Sequence, residues 1–280
     1  MIVLLTTADT EVLAAARAAE ELPDDFPPVR ALNPTLAPDA VAFVDGLMDA
    51  EPSVVLVRLL GGRRAWADGF DHLEARCREA GIPLLAFSGE ASPDAELTAQ
   101  STAPKGVVAE AFEYLVQGGV ANTANLLRFV ADTLLLTGFG FDPPEVLPED
   151  GEWHPAGDGC PGIDPDKPTV GVVFYRTHWM SGNTDFVAAL VEAIEAAGAN
   201  ALPVFTYSLR PRGDEQVVPA LELLRDRVDC VILTVLAMGG SHAGDQEAWA
   251  VPVLEALDVP VVQAVSATTS RAAWLASDNG

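Results

Sequence analysis

The sequence predicts an α/β protein made of two consecutive doubly wound parallel-sheet domains, the second truncated at its C-terminus. Three observations carry this expectation. Short apolar runs of the buried-strand type alternate with amphipathic stretches of helical period. The connections are short, so each strand–helix–strand unit returns to the same sheet with its strands parallel. The alternation breaks once, at a stretch over residues 138–168 rich in Pro, Gly and Asp, and then restarts.

Taken in order, Ile2–Thr6 reads as a strand and Asp9–Glu21 as a helix, with Asp9 or Thr10 as its cap. Val29–Leu32 is a short strand. Pro38–Ala50 is helical because Ala40, Val41, Val44, Leu47 and Met48 share one face. Val54–Leu59 is a buried-type strand, Trp66–Ala80 a helix ended by Gly81, and Pro83–Phe87 the next strand. Pro104–Gln117 and Asn122–Thr137 read as consecutive helices on either side of Gly118-Gly119, closing a first domain over residues 1–137. Residues 138–168 read as an interdomain linker that Val146 and Trp153 pin to a surface. The second domain, residues 169–280, has strands at Thr169–Phe174, Asn200–Phe205, Asp229–Thr234 and Val259–Ala264. Its helices fall at Asn183–Ala197, Asp214–Asp226 and Asp245–Leu257. The expectation is a fragment of a longer polypeptide, the alternative being a complete protein with a frayed tail.

Charge narrows the function classes. Acidic residues number 41 against 16 basic ones, a formal net of -25, and the only lysines are Lys105 and Lys167. Such a surface repels nucleic acid and anionic lipid, so neither is an expected partner. No apolar run is long enough to span a bilayer, and the N-terminus reads as a strand rather than a signal peptide. Cys77, Cys160 and Cys230 are odd in number and far apart, which fits a reducing cytoplasm without a disulfide framework. The acidity fits a halophile, whose salt-rich cytoplasm screens self-repulsion, or an acidic protein of a GC-rich genome.

No phosphate loop, dinucleotide-binding glycine turn, zinc motif or nucleophile elbow is present in the sequence. The chemistry-bearing residues gather after three strands, where open α/β sheets bind ligands. Arg58 to Arg64 carries Gly61-Gly62, a tight turn that admits another backbone or a ligand, and Arg58 could clamp a carboxylate. In Arg176-Thr177-His178-Trp179-Met180-Ser181-Gly182-Asn183, His178 could be an acid/base, a metal ligand or a partner of buried backbone. Trp179 could stack on a flat ligand, and Ser181-Gly182-Asn183 reads as a helix cap or an anion site. Gly239, Gly240 and His242 follow a third strand, with Asp245 a helix cap. Two histidines converging there make only a weak metal signature, so no metal ligand is assigned.

On Leu56–Gly62, Gly118–Asn122, Asn125–Phe129, Phe174–Asn183, Gly198–Phe205, Gly239-Gly240 and Leu257–Val261, the chain resembles the large subunit of aerobic cobaltochelatase, the CobN family. More distantly it is similar to the magnesium chelatase large subunit. The resemblance covers nearly the whole chain and implies the N-terminal portion of a much longer polypeptide. It implies a cytoplasmic ligase-type metal chelatase of cobalamin biosynthesis that inserts Co²⁺ into hydrogenobyrinic acid a,c-diamide. Companion subunits, one an AAA+ ATPase, supply ATP hydrolysis with Mg²⁺. It implies no cofactor bound to this segment, catalytic residues elsewhere, and an isolated segment without activity. The substrate-binding candidates are Arg58, Arg176, His178, Trp179, Gly239, Gly240 and His242. The alternatives are magnesium chelatase, a two-lobed small-molecule binding module hinged at 138–168, and a scaffolding head that contacts only the ATPase partners.

If acidic self-repulsion is screened by a salt-rich cytoplasm, the urea midpoint rises steeply from low to molar salt. Equal midpoints at both ends of that range refute the halophilic reading.

Overall fold

The computed structural model describes residues 1–157, 162–210, 218–235, 251–264 and 271–276. The chain divides into two units, Met1–Leu147 with Met180–Gly182, and Pro148–Trp179 with Asn183–Gly280.

In the first unit, β1 (Ile2–Thr6), β2 (Val29–Leu32), β3 (Val54–Leu59) and β4 (Leu84–Ser88) form a parallel sheet of order β2-β1-β3-β4. The helices are α1 (Asp9–Glu20), α2 (Ala40–Met48), α3 (Ala67–Ala80), α4 (Ala95–Gln100), α5 (Lys105–Gln117) and α6 (Val120–Leu135). Period two along β1 sends Ile2 and Leu4 to one face and Val3 and Leu5 to the other. Both faces are covered, which is why every residue of β1 and β3 is buried. Ala15 and Ala18 of α1, Ala111 of α5, and Leu126 and Val130 of α6 pack against Ile2, Leu4 and Leu56. Val44 of α2, Phe70 and Leu73 of α3, and Leu97 of α4 pack against Val3, Leu5 and Val57. Each fully buried aliphatic side chain contributes about 1.5–3 kcal/mol. Cys77 lies in this second cluster, where burial pushes its thiol up to about 12 and leaves it inert. α3 ends at Gly81, as its left-handed φ of 68° permits.

The second unit is a five-stranded sheet of order β5-β7-β6-β8-β9, from β5 (Asp150–Glu152), β6 (Thr169–Tyr175), β7 (Asn200–Thr206), β8 (Cys230–Leu233) and β9 (Val261–Gln263). α7 (Arg176–Ser181) follows β6 directly, and α8 (Asp185–Ala196) comes next. α9 (Pro219–Glu222), α10 (Val251–Glu255) and α11 (Arg271–Leu275) complete the described helices. Val187, Val191 and Ile194 of α8 cover one face. Leu221 and Leu254, from α9 and α10, belong to the cluster on the other. The family of doubly wound α/β sheets is therefore present twice.

Several features differ from the sequence reading, among them α4, which falls where no element was read. The second sheet is not wholly parallel, because β5 joins β7 antiparallel. The stretch read as linker supplies that strand; Trp153, one residue on, meets Phe174 edge-on with ring centroids 5.8 Å apart. The run after β6 is a helical turn rather than a loop, and α8 begins beyond Asn183. Of the expected helices 214–226 and 245–257, residues 214–217 and 245–250 lie outside the described residues, and the described remainder is helical only over Pro219–Glu222 and Val251–Glu255.

The early part of the same stretch returns along α6. Asp132 near the end of α6 accepts from the backbone N–H of Gly138 (2.7 Å), Phe139 (2.8 Å) and Gly140 (2.7 Å) and from Thr137 Oγ1 (2.7 Å). Burial raises its pKa, but the Thr137 hydroxyl and these backbone donors outweigh that, and the net shift is downward. A carboxyl with a lowered folded pKa stabilises above its unfolded value of about 3.9. That contribution disappears as pH falls through the folded value. Asp132→Asn should therefore cost roughly 1–3 kcal/mol near neutral pH. The difference from wild type should shrink as pH falls below the unfolded value and through the lowered folded value; chemical unfolding over that range measures it.

Candidate functional site

In a sheet of order β2-β1-β3-β4 the ligand crevice lies beyond the carboxyl ends of β1 and β3, where the strand order reverses. Arg58 stands there near the end of β3 and is only 8% exposed. Its Nε donates to Ser88 O (3.1 Å), and its Nη2 to Gly89 O (3.1 Å). Its Nη1 donates to Leu115 O (2.8 Å) and to Glu11 Oε1 (2.5 Å). The other carboxylate oxygen of Glu11 accepts from Thr6 Oγ1 at 2.6 Å. Arg58 thus does bind a carboxylate, but the carboxylate is the chain's own. Gly61 and Gly62 have φ of 86° and 70°, as a tight turn requires. The backbone they bring close is internal too: a Cβ at Gly89 would lie 2.4 Å from Leu60 Cα. Arg63 pairs with Asp71 and Glu96.

In the second unit Arg176 opens α7 at the end of β6 and is also 8% exposed. Its Nε donates to Pro148 O at 2.7 Å, which anchors the chain just before β5. Burial lowers its pKa, and the nearby Glu149, Tyr207 and Asp150 oppose that shift. The guanidinium stays charged. His178 is half-buried, and burial lowers its pKa, so the imidazole is neutral at neutral pH. Asn183 Nδ2 lies 3.2 Å from His178 Nδ1. Donation by the amide puts the ring proton on Nε2, an assignment that follows from this bond. The ring also meets Phe186 edge-on at 4.9 Å. Trp179 stacks on Phe205 of β7, with centroids 4.2 Å apart and planes 3° from parallel. A face expected to meet a flat ligand is therefore in contact with Phe205. Gly151 explains the room for that ring, since a Cβ there would come within 2.7 Å of Phe205 Cζ.

Gly239, Gly240, His242 and the cap Asp245 lie outside the described residues. Among the described residues no group of three or more His, Cys, Asp or Glu side chains could hold a metal ion.

The functional side chains that sequence reasoning missed are asparagines that bind backbone. Asn122, 2% exposed, donates to Gly118 O (2.8 Å) and Glu145 O (2.9 Å) and accepts from Glu145 N (2.8 Å). Asn125 accepts from Asp142 N at 3.1 Å. Asn200 donates to Asp164 O (2.9 Å) and accepts from Asp164 N (3.1 Å). Two asparagines three residues apart on one helix were the available signal.

The matching family description is CobN/Magnesium Chelatase, which covers residues 112–280, more than half of the chain. The chain belongs to this family. It is 29% identical to "Aerobic cobaltochelatase subunit CobN" of Pseudomonas aeruginosa over its whole length, which is 22% of that protein. The solved catalytic subunit of cobaltochelatase from Mycobacterium tuberculosis is 38% identical with a TM-score of 0.73, over 100% of this chain and 22% of that one. The chloroplastic magnesium-chelatase protein ChlH of Oryza sativa subsp. indica is 27% identical over 60% of this chain and 14% of that protein. The chain therefore spans about a fifth of the length of the cobaltochelatase relatives it matches.

For this CobN/magnesium chelatase family member, Arg58 is a test of structure against ligand binding. Arg58→Met leaves Glu11 without its cation and removes donors from three carbonyls. It should cost roughly 3–5 kcal/mol of stability, read by urea unfolding. A loss below about 1 kcal/mol contradicts the bracing role.

Proposed function

We propose that this chain is the N-terminal portion of a cobaltochelatase large subunit. In this reading the full enzyme inserts Co²⁺ into hydrogenobyrinic acid a,c-diamide in cobalamin biosynthesis. It works in the cytoplasm with an AAA+ ATPase and a companion subunit that use ATP and Mg²⁺. The observation that favours cobalt over magnesium is coverage. The cobaltochelatase relatives align with all of the chain, whereas the magnesium-chelatase protein ChlH aligns with 60%.

Within that enzyme the chain acts as an ordered head for subunit docking, and ring and metal meet elsewhere in the longer polypeptide. Two observations support this. Arg58 and Arg176 hold internal backbone, and the face of Trp179 holds Phe205. A net charge of -25 also opposes a ring carrying carboxylates. No helix among the described residues is long and apolar enough to cross a membrane. His178 and its Asn183 partner are the remaining candidate for a polar contact with a ring substituent.

Tryptophan fluorescence of the chain titrated with hydrogenobyrinic acid a,c-diamide tests this, together with co-purification of the ATPase and companion subunits. Docking predicts co-purification and no saturable quenching. Saturable quenching that Arg176→Ala and His178→Ala abolish, with circular dichroism unchanged, would replace docking with substrate binding.

A further inference from the structure

The segment after α6 runs back along the helix that precedes it. From the C-terminal end of α6 toward its start, Asp132 takes the N–H groups of Gly138, Phe139 and Gly140, and Asn125 takes that of Asp142. Asn122 then holds both the N–H and the carbonyl of Glu145. From α5, Tyr114 Oη donates to Asp142 O at 2.7 Å. At the start of α6 the Leu147 side chain lies over Gly119, where a Cβ would come within 2.7 Å of Leu147 Cδ1. Gly119 has a φ of 88°, a second reason for glycine.

Asn122, Asn125 and Asp132 lie three and seven residues apart, so they share one face of α6. Phe129, at the intervening position on that face, meets Phe141 edge-on at 5.1 Å. Phe139 packs on Phe26 at 4.8 Å. Side-chain amides and a carboxylate thus do for this extended segment what a neighbouring strand does for an edge strand. They take up its main-chain donors and acceptors, which would otherwise need water.

We infer that residues 137–147 form a latched strap, a conformational device that determines where the polypeptide leaves the first unit. The Asn122–Asn125–Asp132 face of α6 recognises the strap's backbone, and the two phenylalanines set its register. The strap contributes no strand to the first sheet, and only its Phe139 is among the residues packed against the edge of the core that β1 to β4 and their helices make. Loss of the latch therefore releases the strap and leaves the sheet closed, a local opening distinct from global unfolding.

Hydrogen exchange of the 280-residue chain, resolved to peptides covering 137–147 and β1 and β3, tests this. In wild type the strap amides of Gly138, Phe139, Gly140, Asp142 and Glu145 are protected although no backbone ladder holds them. In Asn125→Ala and in Asp132→Asn, strap exchange accelerates by at least about fivefold, the equilibrium worth of one lost hydrogen bond, and is insensitive to low urea, while β1 and β3 keep the slower, urea-dependent exchange of global opening. Asn122→Ala, a deeper disruption, gives a larger acceleration. Wild-type strap amides that exchange at the free-peptide rate would overturn the inference. So would wild-type strap amides as slow as those of β1 and β3 and equally dependent on urea, because strap and core would then open together.

Discussion

A guanidinium lies at the carboxyl end of β3, nearly out of reach of water. A charge so placed is tolerable only when a counter-charge and acceptors surround it. That requirement organises the first unit. Glu11 in the first turn of α1 supplies the negative charge, and the last turn of α5 supplies the Leu115 carbonyl. The chain leaving β4 turns so that the Ser88 and Gly89 carbonyls face inward. Gly89 carries no side chain because Leu60 passes directly over it. One buried cation thereby joins β3, β4, α1 and α5 at the carboxyl end of the sheet, the end at which a sheet of this order offers its crevice to ligands.

The second unit repeats the logic with different chemistry. Arg176 anchors the carbonyl of Pro148, just ahead of the antiparallel edge strand. Phe205 stacks on Trp179 and meets Phe174 edge-on at 6.4 Å, and Trp153 meets Phe174 in turn. Rings in such offset and perpendicular arrangements contribute about 0.5–1.5 kcal/mol per pair beyond their burial. The aromatic residues that stand out in Phe174–Asn183 are therefore largely accounted for by packing between β6, α7 and β7. His178 differs, being held by an amide and a ring edge in neutral form.

Runs that link this chain to chelatase large subunits repeatedly turn out to hold backbone. Asn122 and Asn125 hold the segment after α6, and Asn200 holds Asp164 ahead of β6. A primary amide suits this task because it donates and accepts at once and can mimic a peptide group without carrying charge. In so acidic a chain an uncharged group for this work avoids further self-repulsion.

Strand and helix identities were legible in the sequence because they follow from local periodicity. Ile2–Thr6, Val54–Leu59 and the Gly81 stop all stand where the apolar pattern and a left-handed glycine put them. The location of polar residues at strand ends was equally legible. Their partners were not. Arg58 meets Glu11 across 47 residues, Trp179 meets Phe205, and Asp150–Glu152, too short and polar to show a period, pairs with β7. Whether an arginine at a strand end faces a ligand or a carbonyl depends on groups distant in sequence. Composition and periodicity carry only neighbour relations, so that choice belongs to the tertiary structure.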